Sequence, residues 1–130
     1  MSLVYGERVN IWIEKNKPHD GVFRAYWTED GEGISSEDTG FGLRFEWNYK
    51  DGKPDGISKG WWPNGQLKQT RPWKNGILDG IWTFWHRNGE KQSEGPFKKG
   101  FAAGEWTYWN PDGTVKEKKI LGPKSIPRLK

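Results

Sequence analysis

The chain has 130 residues, enough for one domain, with 21 Lys and Arg against 17 Asp and Glu and a mean hydropathy of −1.00. It contains no cysteine, which excludes disulfides and thiolate metal sites, and no apolar run approaches the ~20 residues that span a membrane as a helix. So polar a composition would suggest disorder but for ten Trp residues and an aromatic content of 15%; one such ring buries roughly 150–250 Å², so a few rings can replace many aliphatic side chains.

Taken in chain order, Met1 to Glu7 lacks a signal-peptide core, and the expectation is a soluble cytoplasmic protein. A single repeat domain is expected over residues 1–120. Its degenerate first unit, residues 11–31, shows in Asp20-Gly21, Tyr26-Trp27 and Asp30-Gly31. A polar, acidic insertion follows. Gly31 to Gly56 is 25 residues where Gly65 to Gly80 and Gly89 to Gly104 are 15, so about ten are added, and a protruding loop is expected at 32–44.

Regular units occupy 49–117 with a period of 24. Four ladders keep that step: Gly52, Gly76 and Gly100; Gly56, Gly80 and Gly104; Trp61, Trp85 and Trp109; Gly65, Gly89 and Gly113. Tyr49, Trp73 and Phe97 form a fifth. A repeat of this length marks units that cannot bury their apolar side chains alone and stack on one another. Residues 121–130, with two prolines and three basic residues after Gly122, read as a tail that folds only against something.

Each unit holds two turn signals. Asn64-Gly65, Asn88-Gly89 and Asp112-Gly113 suit two-residue hairpin turns, which need positive φ and favour Asn or Asp before Gly. Asp51-Gly52, Asn75-Gly76 and Lys99-Gly100 then open a second, longer connection. Stretches rich in Trp, Phe, Tyr, Thr and Ile lie between, and these residue types favour strands. The fold class is therefore all-β: an elongated antiparallel meander of stacked β-hairpins.

Side chains alternate faces along a strand. Ile81, Thr83 and Trp85 share one face, and Trp82, Phe84 and His86 the other. Positions filled alike in every unit, such as Trp61, Trp85 and Trp109 or Tyr49, Trp73 and Phe97, read as stacking core. Positions that vary are freer to meet a partner. Trp62, Trp82, Phe84, Trp106 and Tyr108, with Arg71 and the loop acids Glu37 and Asp38, are the candidate partner-binding residues. Aromatics on both faces imply that one face is covered by another chain, a second copy or a different protein.

The residues for chemistry do not converge. His19 and His86 occupy unrelated repeat positions, and Asp55 and Asp79 read as turn formers. No nucleophile motif, phosphate loop or dinucleotide fingerprint occurs. No catalytic, cofactor-binding or metal-binding residue is assigned, and no cofactor. Lysines crowd the second half of each unit, as in Lys68, Arg71 and Lys74. With the aromatics they raise single-stranded nucleic acid or anionic lipid as partners, though Asp79, Glu90, Glu94, Glu105 and Glu117 dilute the patch.

The unit from Lys74 to Gly89, Lys-Asn-Gly-Ile-Leu-Asp-Gly-Ile-Trp-Thr-Phe-Trp-His-Arg-Asn-Gly, closely resembles the MORN-repeat variant of bacterial proteins labelled YwqK-type antitoxins. The resemblance covers Tyr49 to Glu117 well and Asp20 to Gly31 weakly. Ser58 in place of the motif's first Trp and Ala103 in place of its Asp depart from it. It implies stacked β-hairpins and contributes no catalytic residue. The expected function is a non-catalytic protein-binding module, antitoxin- or immunity-like, that acts by occlusion or scaffolding through an aromatic sheet face. The alternatives are a structural part of a larger assembly such as a phage particle, which would place it in the virion, and binding of anionic lipid or nucleic acid.

Overall fold

The computed structural model describes Ile13 and residues 16–122. Residues 1–10 of the expected domain, 11, 12, 14 and 15 of its expected first unit and 123–130 of the expected tail lie outside the described residues. Ahead of the sheet the Lys17 amide donates to the Ile13 carbonyl (2.8 Å). Twelve strands follow: β1 (Gly21–Trp27), β2 (Ile34–Ser35), β3 (Leu43–Lys50), β4 (Lys53–Pro54), β5 (Gly56–Trp61), β6 (Leu67–Lys74), β7 (Ile77–Leu78), β8 (Gly80–Trp85), β9 (Lys91–Lys98), β10 (Phe101–Ala102), β11 (Gly104–Trp109) and β12 (Val115–Leu121). They form one antiparallel sheet ordered β12-β11-β9-β8-β6-β5-β3-β1-β2, with β4, β7 and β10 pairing β3, β6 and β9. The meander of stacked hairpins is as expected, and β12 carries it one residue past the expected domain end.

The two turns of each unit are the reverse of the sequence expectation. Lys50 pairs Lys53 and Lys74 pairs Ile77, so Asp51-Gly52 and Asn75-Gly76 are the two-residue turns, as is Lys99-Gly100. Both central residues have positive φ in each: 53° and 77°, 51° and 82°, 52° and 88°. That is the turn whose twist matches the flanking strands. The Asn64, Asn88 and Asp112 turns are longer. The Trp62 amide bonds the Gln66 carbonyl (2.8 Å) and the Gly65 amide the Trp62 carbonyl (2.9 Å), leaving a three-residue loop in which Gly65 alone has positive φ (89°). Asn-Gly is compatible with either turn, and the strand pairing decides between them.

After each two-residue turn the chain runs back along the strand it has just left, first as the short β4, β7 or β10 and then as β5, β8 or β11. The break between the two pieces falls at Asp55-Gly56, Asp79-Gly80 and Ala103-Gly104. Gly80 has φ +130° there, and a Cβ on it would come within 2.9 Å of the Pro72 ring. The preceding residue bonds through its backbone amide, Asp55 to Asn48, Asp79 to Pro72 and Ala103 to Pro96. The repeated bond needs no side chain, so Ala103 substitutes for Asp without losing it.

The insertion begins earlier than its spacing suggests. The Trp27 amide bonds the Gly42 carbonyl (2.9 Å), as Trp62 does Gln66, so residues 28–41 stand where Pro63, Asn64 and Gly65 stand in the next unit. The loop also folds back. Ile34 and Ser35 pair Trp27 and Tyr26 and add a short strand at the sheet edge. The Asp30 carboxylate accepts from the Thr28 hydroxyl and from the Glu32 and Gly33 amides, the Thr39 hydroxyl donates to the Trp27 carbonyl, and the Arg44 guanidinium donates to the Glu32 and Gly33 carbonyls.

The core sits on one face at the N-terminal end of the sheet. Phe23, Ala25, Phe45, Trp47 and Tyr49 are buried together, with Ile13, Ile34 and Trp73 packed against them. Among the described residues Trp27 and Trp106 are the other buried aromatics. The invariant Trp61, Trp85 and Trp109, expected as stacking core, are only half-buried. A register shift interrupts the pairing at each of them, between Gly60 and Trp61, Phe84 and Trp85, and Tyr108 and Trp109. Their constancy belongs to the hairpin end. The buried rings lie on the opposite side of the strands.

Candidate functional site

The core face continues across the rest of the sheet as a run of half-buried rings. Trp82, Phe97 and Trp106 form a cluster, with centroids 4.8 Å apart for Trp82 and Phe97 and 5.5 Å for Phe97 and Trp106. Trp62 meets Phe84 edge-on at 6.5 Å. Ser58 opens room beside Trp47 and Trp73, whose centroids are 5.4 Å apart, and its hydroxyl accepts the Trp73 indole N–H at 3.0 Å. This departure from the repeat motif thus has a packing partner in the neighbouring strand.

Of the sequence candidates, Trp62, Arg71, Trp82, Phe84 and Tyr108 share this side of the molecule and are half-buried. Trp106 is 7% exposed, so it supports the face and offers little of itself. Glu37 and Asp38 are exposed on the inserted loop, and Asp38 spends one carboxylate oxygen on the Gly40 amide (2.9 Å). The structure gathers the aromatic and Arg71 candidates and leaves the two acids on the loop.

Arg44 and Arg87, which the sequence reading did not name, and Lys68, named there only in the basic row, join this surface. Arg44 lies over the Trp27 ring at 4.4 Å, and Lys68 and Arg87 lie over the Trp62 ring at 4.7 and 5.0 Å. Arg71 lies over Trp47, Trp82 and Trp73 at 5.0, 5.6 and 5.9 Å. A cation over an aromatic face is attracted by the ring quadrupole. Burial pulls the Arg44 and Arg71 pKa values below the usual guanidinium range. Lys68 is pulled down by burial first, then by the charges of Arg44, Arg71 and Arg87. The one signal in the sequence for this cluster was the basic-aromatic interleaving; its convergence follows from stacking β6 between β5 and β8.

A cleft of about 250 Å³ opens beside it, lined by Trp27, Phe41, Leu43, Trp61, Trp62 and Pro63 with Gly42 and Gly65. Its wall is apolar, and two of its three indoles, Trp27 and Trp62, carry Arg44, Lys68 and Arg87 on their faces. The arrangement can take an apolar group with a negative charge beside it.

Elsewhere, His19, Asp20 and Asp51 meet at an exposed turn, where the Asp51 amide donates to Asp20 Oδ1 (2.9 Å) and the Gly52 amide to the His19 carbonyl (2.7 Å). These bonds do in the first unit what the Gly76 amide on Pro54 and the Gly100 amide on Leu78 do in the later ones. His86 occupies the position of Trp62. Its Nε2 is 3.0 Å from the Trp109 carbonyl, as the Trp62 indole N–H is 3.2 Å from that of Trp85. Asn64 and Asn88 donate likewise to Arg87 and Pro111. Side chains at the hairpin ends therefore tie each unit to the next.

A single open sheet whose hairpins repeat and bond end to end defines a β-repeat protein. The MORN repeat variant model matches residues 54–75 and 78–99, each covering one long hairpin, β5–β6 and β8–β9. Two of its units, over residues 54–75 and 78–99, are accordingly repeats of the MORN variant. No curated protein and no solved structure matches it.

Proposed function

We propose that the chain is a non-catalytic module that binds another protein through the aromatic face of its sheet. The observation that carries this is the layer of half-buried rings that continues the core face over β8, β9 and β11. Trp82, Phe84, Phe97 and Tyr108 lie there, in a sheet whose fully buried cluster is confined to β1 and β3. Rings with arginines among them are the composition of interface hot spots. In the most concrete version the module covers the working surface of a toxin and acts as an antitoxin or immunity protein.

The test is affinity capture from the native source with identification by mass spectrometry, using Phe84→Ala and Tyr108→Ala as comparison chains. One stoichiometric protein, lost with either variant, supports the reading. Recovery of self-copies alone, or of a multi-protein particle insensitive to both changes, replaces it with a structural role. For the antitoxin version, coexpression with the captured protein must restore growth.

A further inference from the structure

On the aromatic face Lys68, Arg71 and Arg87 lie over indole rings. Among the described residues the acids Glu46, Glu94 and Glu117 are engaged by Arg24, Lys91 and Lys119, and none of the ion pairs involves Lys68, Arg71 or Arg87. Arg71 Nε is buried without a hydrogen-bond partner, and so are the indole N–H groups of Trp27 and Trp82. All three orphaned atoms are donors. Around Trp62 and Trp82 the face therefore presents cations with no acid paired to them, a deficit that carboxylates meet.

We propose that this face recognises an acidic segment of the partner protein, with an apolar side chain in the Trp27–Trp62 cleft and flanking carboxylates on Lys68, Arg87 and Arg71. The proposal rests on the protein-binding reading and names the chemistry of its partner. Lys68 and Arg87 bracket one indole that also walls the cleft, so charge and apolar contact fall within one residue's reach. Guanidinium groups bind carboxylates through paired N–H donors. The exposed lysines of β12, Lys116, Lys118 and Lys119, lie at the far edge of the sheet and are not needed. A membrane or a nucleic-acid backbone would instead be met by a broad exposed basic surface, whereas here the charges are set among half-buried rings.

The experiment is a nuclear magnetic resonance titration of the full chain with a Glu-Leu-Glu-Phe-Glu peptide, followed at the Trp indole N–H signals. The controls are the Gln-Leu-Gln-Phe-Gln peptide, anionic phosphatidylserine vesicles and a single-stranded oligonucleotide. The acidic peptide is expected to shift the Trp62 indole saturably and to bind at least about tenfold more tightly than the Gln peptide. The Lys68→Gln/Arg87→Gln chain, shown folded by its own spectrum, is expected to lose that preference. Equal binding of the two peptides, no binding of the acidic one at millimolar concentration, or binding of vesicles or oligonucleotide alone would overturn the proposal. The two readings fail separately. A natural partner captured by the wild type, lost with Phe84→Ala and retained by Lys68→Gln/Arg87→Gln leaves the binding module standing and removes its preference for acids.

Discussion

Trp106 lies across Gly95 so closely that a Cβ built on Gly95 would come within 2.2 Å of the indole Cδ2. The indole N–H then reaches the Pro96 carbonyl at 3.2 Å, and the ring meets Trp82 and Phe97 edge-on. The missing side chain at 95 is what lets β11 lay its ring on β9. Gly95→Ala is therefore expected to destabilise by about 1–3 kcal/mol, the usual range for overpacking. Urea denaturation checks this, and an unchanged midpoint would contradict it.

Burial also ranks the aromatic positions. Trp106→Ala should cost about 3–5 kcal/mol, as large-to-small changes in a packed site do. Tyr108→Ala, at a half-buried position one pair along β11, should cost clearly less. The same denaturation series measures both. A chain that loses a partner only with Trp106→Ala has lost its fold as well as its face.

Lys99 has φ 52° in a two-residue turn where the preceding unit carries Asn75 at 51°. Asn tolerates the left-handed region better than Lys. Lys99→Asn is expected to stabilise by about 0.5–1 kcal/mol and Lys99→Val to destabilise, because a β-branched side chain resists positive φ. Thermal melting of the two variants should move in opposite directions.

The hairpin-end ladder has a direction. Asn88 accepts the Glu90 amide at 2.9 Å and donates to the Pro111 carbonyl at 2.7 Å, whereas Asp112 only accepts, from the Thr114 amide and hydroxyl. Asn88→Asp keeps the acceptor, deletes the donor and sets a negative charge against a carbonyl oxygen. It should cost about 1 kcal/mol. Asp112→Asn keeps the acceptor that position uses and gives up only its charge, so it should lower the denaturation midpoint less than Asn88→Asp.

Acid should weaken the fold through three carboxylates. Asp30 is held below the usual range by the Thr28 hydroxyl and then by the Glu32 and Gly33 amides, and Asp112 by the Thr114 hydroxyl and amide. For Glu94 burial is the largest single influence and acts upward. The hydrogen bonds from Lys91 and Thr83 and the Lys91 charge together outweigh it, and the net shift is downward. A carboxylate whose pKa is lower in the folded than in the unfolded chain binds fewer protons when native. Its contribution is fully present above the unfolded value and is lost as pH falls through the folded one. Denaturation midpoints should therefore fall from pH 7 to pH 3, with a shallower fall for Glu94→Gln.

The 24-residue spacing determined that this chain is a repeat, and the two turn signals in each unit, with strand-favouring residues between them, made it all-β and antiparallel. Local composition also named most of the aromatic face, since Trp62, Trp82, Phe84 and Tyr108 stand where units differ. Only the tertiary structure decided the rest. Asn-Gly and Asp-Gly suit more than one hairpin turn, so pairing across the strands had to choose Asp51-Gly52 over Asn64-Gly65 as the two-residue turn. Alternation tells which side chains share a face. It does not tell which face is buried, and packing onto Phe23, Trp47 and Tyr49 settled that against Trp61, Trp85 and Trp109. The cluster of Lys68, Arg71 and Arg87 around shared indoles exists only where β5, β6 and β8 lie side by side, a proximity set by sheet register and not by spacing along the chain.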